Sequence, residues 1–252
     1  MTTIQAIILG AIQGLTEFLP ISSSGHLVLG QAILNINQPG NEFEIIVHLG
    51  TLFSVIVVFF EDIRTLLFSL NTKKTQNFIM LLVIGTLPAI IVGFGFKEFF
   101  EEFFESLLSV AFALVFTGLI LMSSYFIKRQ DRKHSLVSAI LIGCSQAIAI
   151  IPGISRSGMT ISTALFLGLS SKEAARFSFL LAIPAISGAG LLTALEIGGA
   201  FPIPLNVAIA GFISSFIIGI LALKWLLGWL EQGKFYYFGI YCLVIGITTI
   251  SI

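Results

Sequence analysis

Apolar runs dominate the chain, and their lengths sort them into two kinds. Six runs, near 42–60, 78–95, 107–127, 174–195, 204–223 and 235–252, approach the roughly 20 apolar residues that a helix needs to cross a bilayer. Two further apolar regions are interrupted. The first runs from Ile4 to Leu19, breaks at Pro20-Ile21-Ser22-Ser23-Ser24-Gly25 and resumes to Ile36. The second runs from Leu136 to Ile151, breaks at Pro152-Gly153-Ile154-Ser155-Arg156-Ser157-Gly158 and resumes to Leu169. Each arm is short for a crossing. Broken, polar backbone survives at membrane depth only where protein covers it or a water-filled cavity faces it. Both regions are therefore expected to enter the bilayer as re-entrant helical hairpins.

The two hairpins read as copies. Gly10, Gln13, Ser22, Ser24 and Gly25 match Gly143, Gln146, Ser155, Ser157 and Gly158 at an offset of 133, while Pro20 and Pro152 miss it by one and Phe43 meets Phe177 at 134. Each half is then one hairpin followed by three spans, and an odd number of spans inserts the second copy upside down. The expected fold is an all-α polytopic membrane protein with an inverted-topology repeat. Residues 1–252 form one integral membrane domain, with repeat one over 1–127 and repeat two over 135–252.

Loop charge orients this topology. Opposite the N-terminus fall 11 of the 13 Lys and Arg: Arg64, Lys73, Lys74, Lys128, Arg129, Arg132, Lys133, Lys172, Arg176, Lys224 and Lys234. The N-terminal side carries Lys97 alone, beside Glu98, Glu101, Glu102 and Glu105. The positive-inside rule makes the basic side cytoplasmic, so both termini are expected outside. Trp225, Trp229, Tyr236 and Tyr237 suit an aromatic belt at the cytoplasmic interface.

Composition narrows the function. The chain is 56% hydrophobic and 10% charged, against about a quarter charged in soluble domains, which excludes a soluble globular enzyme and a disordered chain. Its 13 basic and 13 acidic residues cancel, so no nucleic-acid partner is expected. Cys144 and Cys242 lie in apolar stretches and read as small packing residues. Residues 1–20 lack Lys and Arg and carry Glu17, unlike a cleavable signal, so the chain is read as the mature protein.

An ionisable group within a membrane is a functional hypothesis by default. Here these are Glu17, His26, His48 and Arg156, with Glu42 and Glu44 near a span edge. In the first break Gln13 and Glu17 share a helix face, being four residues apart. Ser22, Ser23, Ser24 and Gly25 form a helix N-cap signal, whose free N–H groups make an anion site. His26 follows within a turn, and hydroxyl, imidazole and carboxylate together suit nucleophilic or acid–base work. In the second break Ser155, Ser157 and Thr160 offer hydroxyls, Gly158 allows close backbone approach, and the planar fork of Arg156 suits phosphate oxygens. Ile150 stands where Glu17 has its match, and Ser23 where Arg156 has its own, so the symmetric frame carries an asymmetric set. One composite anion site, most simply for phosphate, accounts for that asymmetry. Other readings stay open: hydroxyls bonded one turn back along their own helices, a purely structural Arg156–Glu17 pair, and His26 as a packing residue. His48 stands mid-span without a motif and reads as a core hydrogen-bonder or a site wall. These residues do not separate hydrolysis from transport.

Two segments carry a family resemblance. Gln13-Gly14-Leu15-Thr16-Glu17-Phe18-Leu19-Pro20-Ile21-Ser22-Ser23-Ser24-Gly25-His26 and Pro152-Gly153-Ile154-Ser155-Arg156-Ser157-Gly158-Met159-Thr160 closely resemble the two signature motifs of the undecaprenyl pyrophosphate phosphatase, or bacitracin-resistance, family. The similarity extends through Phe43-Glu44, Leu49-Gly50-Thr51 and Phe177 to Pro184. The resemblance implies a plasma-membrane hydrolase that removes one phosphate from a polyprenyl diphosphate lipid on the outer face, recycling the carrier for peptidoglycan synthesis and conferring bacitracin resistance. It also implies a divalent cation, Mg or Ca, and commonly a homodimer. By the same resemblance Glu17, Ser23, His26 and Arg156 are catalytic, with Ser23 or a water as nucleophile and Glu17 with His26 managing protons. Ser22, Ser24, Gly25, Ser155, Ser157, Gly158 and Thr160 contact substrate, and Gln13 with Glu17 holds the metal. Gln13 stands where the family accepts Glu or Gln, so metal handling rests mainly on Glu17. The rival reading is a lipid-phosphate flippase or transporter built on the same anion site.

Overall fold

A computed structural model describes residues 1–36, 42–95, 107–127, 130–196 and 203–251. Lys97, Glu98, Glu101, Glu102, Glu105, Lys128 and Arg129, which enter the charge argument, lie outside the described residues.

Every regular element among the described residues is helical. Each interrupted region is a helix, a break and a second helix. In the first, α1 spans Thr3–Phe18 and α2 Ser23–Ile33. Between the two interrupted regions run α3 (Glu42–Val58), α4 (Phe60–Phe68), α5 (Lys73–Gly95) and α6 (Leu107–Ser123). The second region comprises α7 (Leu136–Ile148) and α8 (Arg156–Phe166). Then follow α9 (Ser171–Glu196), α10 (Leu205–Glu231) and α11 (Tyr237–Ile250).

The caps repeat with the sequence. Thr2 and Ser135 cap α1 and α7, each in a reciprocal capping box. Ser22 and Ser155 cap α2 and α8, accepting from the backbone N–H of Gly25 and Gly158. At 1.5 Å per residue the arms are roughly 16–24 Å long, short of the ~30 Å hydrocarbon core.

Among the described residues four helices, over Lys73–Gly95, Leu107–Phe126, Ser171–Leu195 and Leu205–Glu231, are long and apolar enough to cross. The bent pair α3 and α4, kinked by 70°, makes a fifth if it is one span. The run expected over 42–60 is thus a helix that turns at Phe59. The run expected over 235–252 forms the 14-residue α11, below spanning length as described. Val83, Leu87 and Ile91 on α5, and Ile209, Ile213, Ile217 and Leu221 on α10, are exposed at helical spacing and present apolar faces outward. This is a multi-pass membrane protein.

Packing exchanges elements between the halves. Helix α1 lies on α10, α7 lies on α5, and α6 pairs with α11. Small residues permit this closeness. A Cβ added at Gly10 would stand 2.6 Å from the Gly211 carbonyl oxygen, and one at Gly14 2.6 Å from that of Ser215. A Cβ at Gly143 would collide with the Gly85 carbonyl. Such small-residue seams replace the hydrophobic drive that helices lack in lipid. The largest core cluster draws on both halves, with Phe18, Phe177, Phe179, Leu223 and Leu226 all buried.

Candidate active site

The two breaks meet. A Cβ at Gly25 would lie 3.5 Å from the Gly153 Cα, and one at Gly158 3.3 Å from the Pro20 Cβ. The tips touch because small or cyclic residues stand at the contact. Close approach at Gly25 and Gly158 thus serves the opposite tip. Each break needs one left-handed residue to turn so sharply: Gly153 at φ 91° in the second, but Ser22 at φ 70° in the first. A non-glycine residue in that region costs about 1–3 kcal/mol and persists only where its surroundings hold it. Ser22 is held by its capping bond and by its carbonyl, which accepts from His26.

Glu17 sits at this junction with its side chain 7% exposed. Its Oε1 accepts from Arg156 Nη2 at 2.6 Å, across the two hairpins. Its Oε2 accepts from Ser23 Oγ at 2.7 Å and from Gln13 Nε2 at 3.1 Å. His48 Nε2 stands 3.8 Å from the same oxygen. Four groups from four helices, α1, α2, α3 and α8, therefore converge on one carboxylate. Arg156 is only half used: its Nη1 is buried without a hydrogen-bond partner among the described residues. Gln13 donates its amide to Glu17, and its Oε1, buried, likewise has no partner among the described residues.

Glu17, Gln13, Ser23 and Arg156 come together as the motifs led one to expect. His26 does not bond Glu17 or Ser23. Its Nδ1 donates to the Ser22 carbonyl at 2.8 Å, and its Nε2 faces the Tyr241 hydroxyl at 2.8 Å. The ring folds back onto the carbonyl four residues earlier, which turns it away from the carboxylate. His48, from α3, stands beside Glu17 instead and walls the site. Its Nδ1 is latched onto the Glu44 carbonyl at 2.7 Å. The usable signal was an imidazole mid-span, four residues after an acid.

The serines divide by depth. Ser22 and Ser155 are buried and occupied as helix caps, with Ser24 and Ser157 beside them at 3.3 Å. Thr160 is buried between the Arg156 carbonyl at 2.8 Å and Ser178 at 2.6 Å. These hydroxyls build the two helix N-termini, whose axes bring N–H groups and positive dipole ends to the junction. Ser23, partly exposed, is the hydroxyl placed on the carboxylate.

A divalent cation fits this donor set in one way. No group of three or more His, Cys, Asp or Glu gathers as a metal cage among the described residues. The unpartnered Gln13 oxygen beside the Glu17 carboxylate suits a hard cation that takes its remaining oxygens from phosphate and water, as Mg²⁺ commonly does.

A cavity of about 510 Å³ adjoins the first tip, lined by Leu19, Ile21, Trp225, Trp229, Tyr241 and their neighbours, with Lys234 as its one charge. It is an apolar groove between α1, α10 and α11, and Tyr241 is shared between it and His26.

Comparison with known proteins identifies the family. The model of the family described as bacitracin resistance protein BacA matches residues 6–248. A protein of Bacteroides fragilis (strain YCH46) named undecaprenyl-diphosphatase is 42% identical over 100% of this chain and 98% of its own. Proteins of that name from Desulforapulum autotrophicum and Carboxydothermus hydrogenoformans are 40% and 41% identical over 99% and 98% of this chain, and 98% and 96% of their own. With both signature breaks present and the match running through nearly every helix, this chain belongs to the bacitracin resistance protein BacA family.

Proposed function

We propose that this protein hydrolyses undecaprenyl diphosphate to undecaprenyl phosphate and inorganic phosphate. Family membership and the relatives' name support the reaction. The role in recycling the peptidoglycan carrier lipid and in bacitracin resistance follows from the family. The observation that carries the reading is Arg156: one amino group is fixed on Glu17, and the other is buried, unpaired and beside two helix N-termini. An anion with more than one oxygen completes that arrangement.

The residues divide the work by their bonds. Arg156 Nη1 and the N–H groups opening α2 and α8 bind phosphate oxygens and oppose the charge of the transition state. Ser23 Oγ attacks the terminal phosphorus, and its proton passes to Glu17 Oε2, to which it is already hydrogen-bonded. The bridging P–O bond breaks and the lipid monophosphate leaves; water then frees phosphate from the serine. Direct attack by water, with Glu17 as base, is the alternative route to the same products. His26, one turn along α2 from Ser23, serves the leaving or entering oxygen through the Tyr241 hydroxyl that its Nε2 faces. Gln13 and Glu17 hold the divalent cation, which when bound neutralises phosphate charge. The prenyl chain is left among the apolar spans.

The architecture supporting this site is read as an inverted repeat of two re-entrant hairpins, each with three further spans, α3 and α4 counting as one bent span. The exchange of α1 onto α10 and α7 onto α5 supports it, as do the four caps repeating at one offset. The site opens to the outer face and both termini lie outside.

Purified protein in detergent, given undecaprenyl diphosphate and Mg²⁺, is expected to release phosphate without any membrane gradient. Chelation should stop release and added Mg²⁺ restore it. Ser23→Ala at near wild-type rate would rule out serine attack. Broken helices meeting at their tips also suit a transporter; lipid phosphate crossing a vesicle membrane unhydrolysed would favour that reading.

A further inference from the structure

Helix α11 touches the first tip at two successive residues. Cys242 Sγ donates to the Pro20 carbonyl at 3.6 Å, and Tyr241 presents its hydroxyl to His26 Nε2 at 2.8 Å. The phenol also stacks on the imidazole, with centroids 5.7 Å apart and planes at 16°. We infer that Tyr241 is a positioning residue for His26, holding its ring in one rotamer with Nε2 turned to the phenol oxygen.

The bonding fixes the tautomer. A carbonyl only accepts, so Nδ1 must carry the proton that bonds Ser22 O, and Nε2 of the neutral ring is bare. The Tyr241 O–H then donates to it. When Nε2 takes up a proton, the phenol oxygen accepts that N–H by turning its own O–H away. The imidazole thus changes protonation without changing place. His48 marks the contrast: it has the same Nδ1-to-carbonyl latch, but its Nε2 faces the Glu17 carboxylate. One imidazole is thereby committed to the acid, and the other is held by a neutral partner that suits either state. The Tyr241 ring lines the apolar groove as well.

This rests on the proposed catalytic role of His26, and the test separates the two. Tyr241→Phe keeps the ring, its stacking and the groove, and removes only the hydroxyl. Nitrogen NMR on histidine-labelled protein in nanodiscs, with the His26 signals assigned by their loss in His26→Gln, reads the ring directly. Wild type should show a protonated Nδ1 and a bare, hydrogen-bonded Nε2. In Tyr241→Phe the Nε2 signal should move downfield toward its unbonded position, with Nδ1 unchanged. Phosphate release should lose about tenfold in kcat, the scale of one hydrogen bond, with KM held within about twofold. An Nε2–H tautomer in wild type, an unmoved Nε2 signal in the variant, an unchanged kcat, or a loss lying wholly in KM would each overturn the inference. Wild-type protein with the expected tautomer but no phosphate release would instead sink the hydrolase reading.

Discussion

Arg156 and Glu17 pair at 2.6 Å with side chains 15% and 7% exposed, so neither charge tolerates loss of the other. Arg156→Ala should abolish phosphate release and lower stability by about 3–5 kcal/mol, since a buried carboxylate is left without its ion partner. Arg156→Lys keeps a charge for Glu17 but loses the second arm of the fork. It should fold near normally and drop kcat/KM by about 10–100-fold. Thermal unfolding in detergent and a phosphate assay distinguish the two; equal activity of Lys and Arg would dismiss the free Nη1 as a ligand. Ser22 and Ser23 are neighbours with opposite duties. Ser22→Ala should cost about 1 kcal/mol as a lost cap and keep its strained φ, whereas Ser22→Gly should cost only a few tenths, because glycine accepts that φ. Comparing the two melting temperatures checks this. Glu17, Gln13, Ser23 and Arg156 were legible because motif spacing alone placed them on two facing breaks. The standing of His48, and the turning of His26 toward Tyr241, were not. Both depend on contacts between residues far apart in sequence, His48 with Glu17 and His26 with Tyr241.

At the scale of elements, glycine decides which helices touch. Gly10→Val or Gly143→Val should destabilise by about 1–3 kcal/mol or more, because the added side chain meets backbone that cannot move aside. Among the described residues Gly188 in α9 and Gly228 in α10 have no neighbour within 4 Å of an added Cβ. Alanine at either should be neutral or stabilise by up to about 1 kcal/mol through helix propensity. Melting curves of the four variants test the seams against open faces. The existence and type of nearly every helix were readable from apolar runs, and the cap at Ser22 from its residue type, with Ser155 as its match in the repeat. The bend at Phe59 was not, since the apolar run continues through it; α4 turns where Asp62 meets Arg176 of α9 at 2.6 Å, a bond no local pattern announces.

For the whole molecule the charge asymmetry of the loops predicts sidedness. With Cys144 and Cys242 replaced by Ala, single cysteines at Gln232 and Asn71 should resist a membrane-impermeant thiol reagent in intact cells. One at Asn35 should react. Labelling of the first pair with protection of the third would invert the proposed orientation. Membrane residence, helical class and the identity of the polar residues at the breaks follow from the sequence alone, because apolar length and helix capping are local properties that lipid amplifies. What only the tertiary structure decided is the wiring of the site: that Arg156 reaches Glu17 with one arm and leaves the other unpaired, that His48 joins the acid, and that His26 answers to Tyr241. Those outcomes depend on how closely glycine seams let distant helices approach, and a difference of a few ångströms there determines which side chains share a proton.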